Sequence, residues 1–251
     1  MKVYHEGDTT KEALIFFNPM GTDFSFWKKK FPLELYKKYD VCFFDYSGFN
    51  SDYFPQVNLS DTGELIKKEI LSGISKPMHF CGYSYGGMVV QELLKEEYPN
   101  LQSIILIATQ NSLTPYDKEV PRVLKDAINV DPFLYCRMLS LLSYASSVLN
   151  TNQLFPLQML FNIKSSTISS APIIQQLEQI SKTNKIEFPP CVIPTLYMYG
   201  ENDRMIRSDT PTEMENKFKD LKIIKFSSSS HMIDLDLIYK KIVIFLNKIH
   251  R

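Results

Sequence analysis

Short apolar runs alternate with helical patterns along most of this 251-residue chain. The apolar runs predict buried strands, and they lie at residues 13–17, 41–44, 78–82, 103–108, 194–199 and 222–226. Apolar positions spaced by three and four predict helices, and these lie at residues 24–38, 60–74, 85–98, 210–219 and 234–249. Ser60 or Asp61 is the expected N-cap of the second helix. The alternation predicts an α/β fold in which a mostly parallel central sheet is flanked by helices.

The alternation stops between residues 111 and 190, where prolines separate several helical patterns and no strand is predicted. One amphipathic helix there carries its apolar residues at Leu134, Met138, Leu141, Leu142, Ala145 and Val148. We therefore expect an α/β core domain formed by residues 1–110 and 191–251, with a helical cap, or lid, inserted at residues 111–190.

Composition and charge exclude several classes of partner. The chain has 28 basic and 28 acidic residues, so it has no electrostatic attraction for nucleic acid or an anionic membrane. Its first residues form no apolar signal core, and no apolar run is long enough to span a bilayer. We expect a cytoplasmic monomer with no membrane or nucleic-acid partner.

The cysteines give no sign of a metal site or a disulfide. They are scattered through the chain without a Cys-x-x-Cys pair, at Cys42, Cys81, Cys136 and Cys191. Two of them fall inside predicted buried strands. We expect reduced thiols in the core rather than disulfides or zinc ligands.

The strongest chemical signal is the segment 82–86, which reads Gly-Tyr-Ser-Tyr-Gly and so contains G-x-S-x-G. A predicted strand precedes it and a predicted helix follows, as in a nucleophile elbow that exposes one serine hydroxyl. Gly82 and Gly86 lack the Cβ atoms that would collide in such a turn. Ser84 would lie at a helix N-terminus, which favours developing negative charge. The alternative is a glycine-rich turn whose serine has no function.

A serine hydroxyl needs a positioned base to become a nucleophile at neutral pH. Two histidines follow Ser84 in the sequence. His250 is one residue from the C-terminus, where fraying prevents accurate placement. His231 lies between the last predicted strand and the last predicted helix, at the sheet edge where ligands bind in open α/β sheets. We therefore expect His231 to be the base.

The acid that orients this histidine is expected after the strand at residues 194–199. Asp203 is our prediction because it falls at the same sheet edge as the serine and the histidine. Glu201 is the competitor, although a turn residue next to a glycine more readily points to solvent. Asp234 and Asp236 are explained as acids in the first turn of the final helix. Asp45 precedes the serine and ends a strand, and we interpret it as structural.

Acyl transfer also needs hydrogen-bond donors that face the oxyanion. One expected donor is the backbone N–H of Tyr85, the residue after the nucleophile. The other is expected in the loop after the strand at 13–17, where Pro19 has no N–H and Met20 is the best candidate. Gly21 would let this loop approach the substrate closely.

Taken together, these residues resemble the α/β-hydrolase superfamily, and the resemblance covers essentially the whole chain. The length, the helical insertion and the closing elements are most similar to carboxylesterases of the pimeloyl-[acyl-carrier protein] methyl ester esterase type, which act in biotin biosynthesis. The resemblance implies a catalytic triad of Ser84, Asp203 and His231. It also implies oxyanion donors at Met20 and Tyr85.

The chain departs from the family pattern at two places. Asn18-Pro19 stands where the family has His-Gly before the oxyanion residue, so the hydrogen bonding of this loop must differ. In the loop after the strand at 41–44, Asn50 stands where a glycine is usual. Asparagine tolerates left-handed backbone geometry, so the turn is expected to survive.

The expected function is that of a serine hydrolase that cleaves the carboxylic ester of an apolar acyl chain through an acyl-enzyme, without metal or cofactor. Its substrate would be a small-molecule or carrier-protein-bound acyl ester. The residues predicted to bind it are Met20, Phe133, Leu141, Leu142 and Phe155. Two alternatives stay open: a thioesterase or lactonase with the same triad, and a ligand receptor on a hydrolase scaffold.

Overall fold

The most continuous apolar runs form the centre of a seven-stranded sheet in the computed structural model, which describes residues 1–50, 52, 55–151 and 170–249. The strands are β1 Lys2–Gly7, β2 Ala13–Phe17, β3 Asp40–Asp45, β4 Met78–Tyr83, β5 Leu101–Ile107, β6 Thr195–Gly200 and β7 Leu221–Phe226. Their spatial order is β1-β3-β2-β4-β5-β6-β7. Only β1 runs antiparallel to its neighbour, β3, and every other pair is parallel. The predicted α/β architecture with a mostly parallel sheet is confirmed.

Helices cover both faces of this sheet. Their bounds are α1 Ser25–Lys28, α2 Leu33–Lys38, α3 Leu59–Glu69, α4 Tyr85–Leu93, α5 Pro115–Val130, α6 Pro132–Ser143, α7 Ser146–Thr151, α8 Ser170–Lys182, α9 Thr210–Lys217 and α10 Leu235–Ile249. One buried cluster contains Ile15 and Phe17, and a second cluster on the opposite face contains Leu14 and Phe16. Because β2 is buried on both faces, its sequence is apolar throughout rather than alternating.

Four helix predictions need correction. The helix expected over 85–98 ends at Leu93, and the one amphipathic helix expected from Leu134 to Val148 is divided into α6 and α7. The helix expected over 24–38 is two helices, α1 and α2, because Pro32 has extended backbone geometry and no N–H to continue a helix. The helix expected over 60–74 begins after Asn58, which is the N-cap in place of Ser60 or Asp61. Asp61 instead completes a capping box with Asn58, in which each side chain accepts the other residue's backbone N–H.

The segment between β5 and β6 contains α5 to α8. Thr114 caps α5 and forms a capping box with Asp117, while Asp131 ends α5 and caps α6. Among the described residues of this segment, the one bridge within it pairs Ser112 with Lys185. The division into a core domain and a cap stays a prediction.

The loop after β7 passes very close to the end of β6. A Cβ atom at Gly200 would lie 2.6 Å from the Ser229 carbonyl oxygen and would overlap the Ser230 carbonyl. Only glycine allows this approach, which carries the chain toward the carboxyl end of β4.

The four cysteines are free and buried, as the sequence indicated. None of the helices in the described residues is long and apolar enough to cross a membrane.

Candidate active site

Ser84 occupies the turn between β4 and α4 in a conformation that is rare for a residue with a side chain. Its backbone has φ 51° and ψ −115°, and its N–H donates to the Ile107 carbonyl at 2.8 Å. A Cβ atom on Gly86 would overlap the Phe17 carbonyl oxygen, so this position of the turn accepts only glycine. The serine hydroxyl is therefore held at the carboxyl edge of the sheet by strained backbone that its neighbours fix.

Three side chains from separate parts of the sequence meet at this edge. His231 Nε2 lies 2.9 Å from Ser84 Oγ, and His231 Nδ1 lies 2.8 Å from Asp203 Oδ2. The histidine is only 4% exposed. Since an ionised carboxylate only accepts hydrogen bonds, Nδ1 carries the proton toward Asp203, and Nε2 is left to accept from the serine hydroxyl.

Tyr83 anchors the loop that carries the histidine. Its buried hydroxyl donates to the His231 carbonyl at 2.7 Å and accepts the Ile233 N–H at 2.8 Å. Sequence reasoning did not select Tyr83. Its position next to Ser84 on a buried strand was the available signal, because a buried tyrosine hydroxyl needs a polar partner.

Asp203 is oriented by the backbone of its own turn. Its Oδ1 accepts the N–H groups of Met205 at 2.8 Å and Ile206 at 3.0 Å, which leaves Oδ2 facing the histidine. Glu201, the competing acid, is exposed and lies 2.7 Å from the Lys225 ammonium. The geometry therefore favours Asp203 over Glu201 as the orienting acid.

The remaining candidates lie elsewhere. Asp234 and Asp236 form ion pairs with Lys30 on the surface. His250 is outside the described residues.

Asp45 connects strand β1 with the two loops that contain Phe24 and Asn50. Its carboxylate accepts the Phe24 N–H at 2.7 Å, the Tyr4 hydroxyl at 3.0 Å and the Asn50 amide at 3.2 Å. Burial raises the pKa of Asp45. Asn50 has φ 54°, so it does adopt the left-handed geometry expected of it. These contacts agree with the structural interpretation of Asp45.

The two residues chosen as oxyanion donors share a cavity with the serine. Met20 and Tyr85 both line the cavity that contains Ser84 and His231. Among the hydrogen bonds of the described residues, neither backbone N–H donates to a protein acceptor. Asn18, which departs from the family pattern, is buried and donates its amide to the Phe44 carbonyl at 2.8 Å. The loop is thus held by a side-chain bond to β3.

The cavity beside Ser84 has a volume of about 40 Å³ and is mostly apolar. Its walls come mainly from α4, α5, α8 and the loop after β5, and the apolar side chains include Met88, Leu113, Val120, Leu124, Leu177 and Ile180. Thr109, Gln110 and Asp117 supply polar atoms. The Asp117 carboxylate is already engaged by Thr114 and by Arg207.

The substrate-binding residues predicted on α6 do not line this cavity, and their role stays a prediction. Phe133, Leu141 and Leu142 are absent from the lining of this cavity, because α6 buries Tyr135, Cys136, Ser140 and Ser143 instead. Leu141 is 58% exposed. Met20 does line the cavity, whereas Phe155 lies outside the described residues. The cavity-lining residues of α5 were not predicted. The available signal for them was the spacing of apolar residues by three and four that follows the capping box of this helix.

One cluster of metal-ligating side chains lies away from this cavity. Ligand atoms of His5, Asp40 and Cys42 are within 4.8 Å of one another. The Lys76 ammonium lies 2.6 Å from the Asp40 carboxylate, and burial raises the pKa of the Cys42 thiol to about 12. A cation would compete with the lysine and need an ionised thiol, so we assign the cluster a structural role.

Comparison with known proteins assigns the family and agrees with the fold. The sequence matches the model of the alpha/beta hydrolase fold family over residues 12–236. It is 23% identical over 237 residues to a pimeloyl-[acyl-carrier protein] methyl ester esterase of Legionella pneumophila (strain Corby), covering 87% of each chain. The enzyme of the same name from strain Lens is 22% identical with the same coverage.

Solved structures share the fold at lower identity. An esterase from Exiguobacterium antarcticum superposes with a TM-score of 0.81 at 15% identity, covering 100% of this chain and 94% of the esterase. An enol-lactonase from Burkholderia xenovorans LB400 superposes with a TM-score of 0.73 at 17% identity, covering 98% and 96% of the two chains.

We expect Asp203→Asn to lower turnover of a p-nitrophenyl ester by about 10³-fold or more, because an amide no longer fixes the histidine tautomer. Glu201→Gln is the matched control and should stay close to the wild type. Steady-state kinetics on both variants provides the measurement. A silent Asp203→Asn together with an inactive Glu201→Gln would reverse the assignment of the acid.

We expect Val120→Phe to lower kcat/KM for the same ester by about tenfold or more, because the larger ring fills the cavity beside Ser84. Val123→Phe is the control, since Val123 lies on the same helix and is 44% exposed. Equal kinetics for the two variants would show that substrate binds outside this cavity.

Proposed function

This chain belongs to the alpha/beta hydrolase fold family, and from that premise we propose that it is a serine esterase acting on the carboxylic ester of an apolar acyl chain. The observation that carries the proposal is the continuous hydrogen-bonded chain from Ser84 through His231 to Asp203. Each side chain meets the geometric requirement for nucleophile, base and orienting acid.

The reaction proceeds through an acyl-enzyme. His231 removes the Ser84 proton as Oγ attacks the ester carbonyl, and the N–H groups of Met20 and Tyr85 bind the oxyanion that forms. The imidazolium then donates its proton to the departing alcohol, and Asp203 stabilises the positive charge on the ring. In the second half, His231 activates a water molecule that releases the acid and restores the serine.

The size of the cavity favours a small group on one side of the ester. Its volume of about 40 Å³ is well below the roughly 300–1,000 Å³ of pockets that enclose a whole drug-sized ligand. A methoxy group or a short acyl group suits such a cavity, and the apolar walls disfavour a sugar or a phosphate. A methyl ester is therefore the proposed substrate class.

The named relatives supply the finer form of this proposal, in which the substrate is the methyl ester of pimeloyl-[acyl-carrier protein] and the pathway is biotin biosynthesis.

The charged side chains on α5 and α8 indicate how strongly the protein would attract an acidic carrier protein. The basic side chains of Arg122, Lys125 and Lys182 pair with Glu119 or Glu178. Paired charges attract an acidic carrier only weakly, which favours recognition of the acyl chain itself.

We expect a fluorophosphonate probe to label the protein at Ser84, because the probe reacts with an activated serine hydroxyl. Ser84→Ala should lose both labelling and ester hydrolysis. Intact-mass analysis and a p-nitrophenyl ester assay measure the two effects. Undiminished labelling of Ser84→Ala would assign the nucleophile to another residue, and an absence of multiple turnover in the wild type would favour a ligand receptor.

We expect methyl esters of dicarboxylic acids to be cleaved with a higher kcat/KM than the thioesters of the same acyl chains. The substrate panel contains the methyl ester of each acyl chain both as a free molecule and bound to acyl-carrier protein. Similar rates for free and carrier-bound methyl esters are expected because Arg122, Lys125 and Lys182 are paired with acidic side chains. A preference for thioesters or lactones would contradict the proposed bond, and a strong carrier requirement would contradict the inference about charge.

A further inference from the structure

Helix α8 contacts both sides of the proposed oxyanion hole through two glutamines on one face. Gln176 Oε1 accepts the backbone N–H of Gly21 at 2.8 Å, and Gly21 directly follows Met20. Gln179 Oε1 accepts the hydroxyl of Tyr85 at 2.6 Å. Residues three apart in a helix share a face, so a single helix holds both elements that supply the oxyanion donors.

The bond from Gln176 has a structural cost. The side chain is 4% exposed, and the Gly21 N–H requires Oε1 to point toward it. This orientation leaves Gln176 Nε2 buried with no partner among the described residues. A buried donor without a partner destabilises a fold, so a side chain that only filled this space would be better apolar. This cost points to the bond with the Gly21 N–H as the reason for an amide at this position.

The bond from Gln179 belongs to a satisfied network. Gln179 is 1% exposed, and its Nε2 donates to the Gln56 carbonyl at 2.8 Å and to Thr62 Oγ1 at 3.1 Å. These two bonds fix the orientation of the amide, so that its oxygen faces the Tyr85 hydroxyl. The ring of Tyr85 is in turn packed against Tyr46, with 5.3 Å between ring centroids. These contacts therefore fix the position of the start of α4 relative to α8.

We propose that Gln176 and Gln179 are positioning residues that align the two backbone donors of the oxyanion hole, so that catalysis depends on the docking of α8. The proposal rests on the esterase function proposed above. Neither glutamine touches the reacting atoms, and each acts through the backbone of a neighbour. Since oxyanion donors act mainly on the transition state, their misplacement lowers kcat rather than substrate binding.

The test compares Gln176→Met with Gln176→Glu. Methionine keeps the length of the side chain but cannot accept strongly from the Gly21 N–H, whereas glutamate retains an oxygen acceptor. We expect Gln176→Met to lower kcat for a p-nitrophenyl ester by about 10- to 100-fold with KM nearly unchanged. Gln176→Glu should recover most of this loss. Gln102→Met changes an exposed glutamine on β5 whose amide, among the described residues, bonds only the Asn100 carbonyl, so it is the matched control and should retain wild-type kcat.

A second measurement separates positioning from general damage. A boronic acid inhibitor forms a tetrahedral anion on the serine, so its affinity should fall by the same factor as kcat/KM. The affinity of the product carboxylate should stay unchanged. Tyr85→Phe, which removes only the hydroxyl bonded to Gln179, should also lower kcat and provides an independent variant.

The outcomes distinguish this inference from the proposed function. Wild-type kcat in both Gln176→Met and Tyr85→Phe overturns the inference, while labelling and hydrolysis that depend on Ser84 still support the esterase. Equal loss in Gln176→Met and Gln176→Glu, with equal weakening of the product carboxylate, also overturns it. Hydrolysis that persists in Ser84→Ala overturns the proposed function itself.

Discussion

The left-handed backbone of Ser84 is the constraint on which the rest of the site depends. A residue with a side chain in this conformation costs about 1–3 kcal/mol, so the surrounding fold must impose it. The bond from the Ser84 N–H to Ile107 fixes the turn against β5. The close approach of Gly86 to the Phe17 carbonyl fixes it against β2. The serine is therefore positioned by both neighbours of β4 in a rigid parallel sheet.

The same sheet brings the other two side chains to that serine. β4, β6 and β7 run parallel, so the loops that follow them meet at one edge. Gly200 lets the loop after β7 pass against the end of β6, and the Tyr83 hydroxyl ties this loop to β4 through His231. The backbone amides that orient Asp203 complete the arrangement. The geometry of the site thus follows from sheet topology and a few close backbone contacts.

The helices between β5 and β6 contribute in a different way. α5 and α8 enclose the small apolar cavity, and α8 also fastens the loop of Met20 through Gln176. Substrate selection and alignment of the oxyanion donors would then share one helix. Catalysis at Ser84 would therefore depend on the docking of α8, because movement of this helix would disturb both the cavity and the loop of Met20.

Local patterns in the sequence were sufficient for β2 to β7 and for most helices. They also selected Ser84, His231 and Asp203, which form one hydrogen-bonded chain in the structure. Strand burial and helix periodicity depend on neighbouring residues, and G-x-S-x-G identifies its own turn. Tyr83, Gln176 and the lining residues of α5 were not found, because their roles depend on which face of each element packs against residues far away in the chain. The absence of Leu141 from the cavity wall has the same origin, since amphipathic spacing shows that α6 has an apolar face but not what that face contacts. The sequence determined the elements and their chemistry, and tertiary packing decided which surfaces enclose the serine.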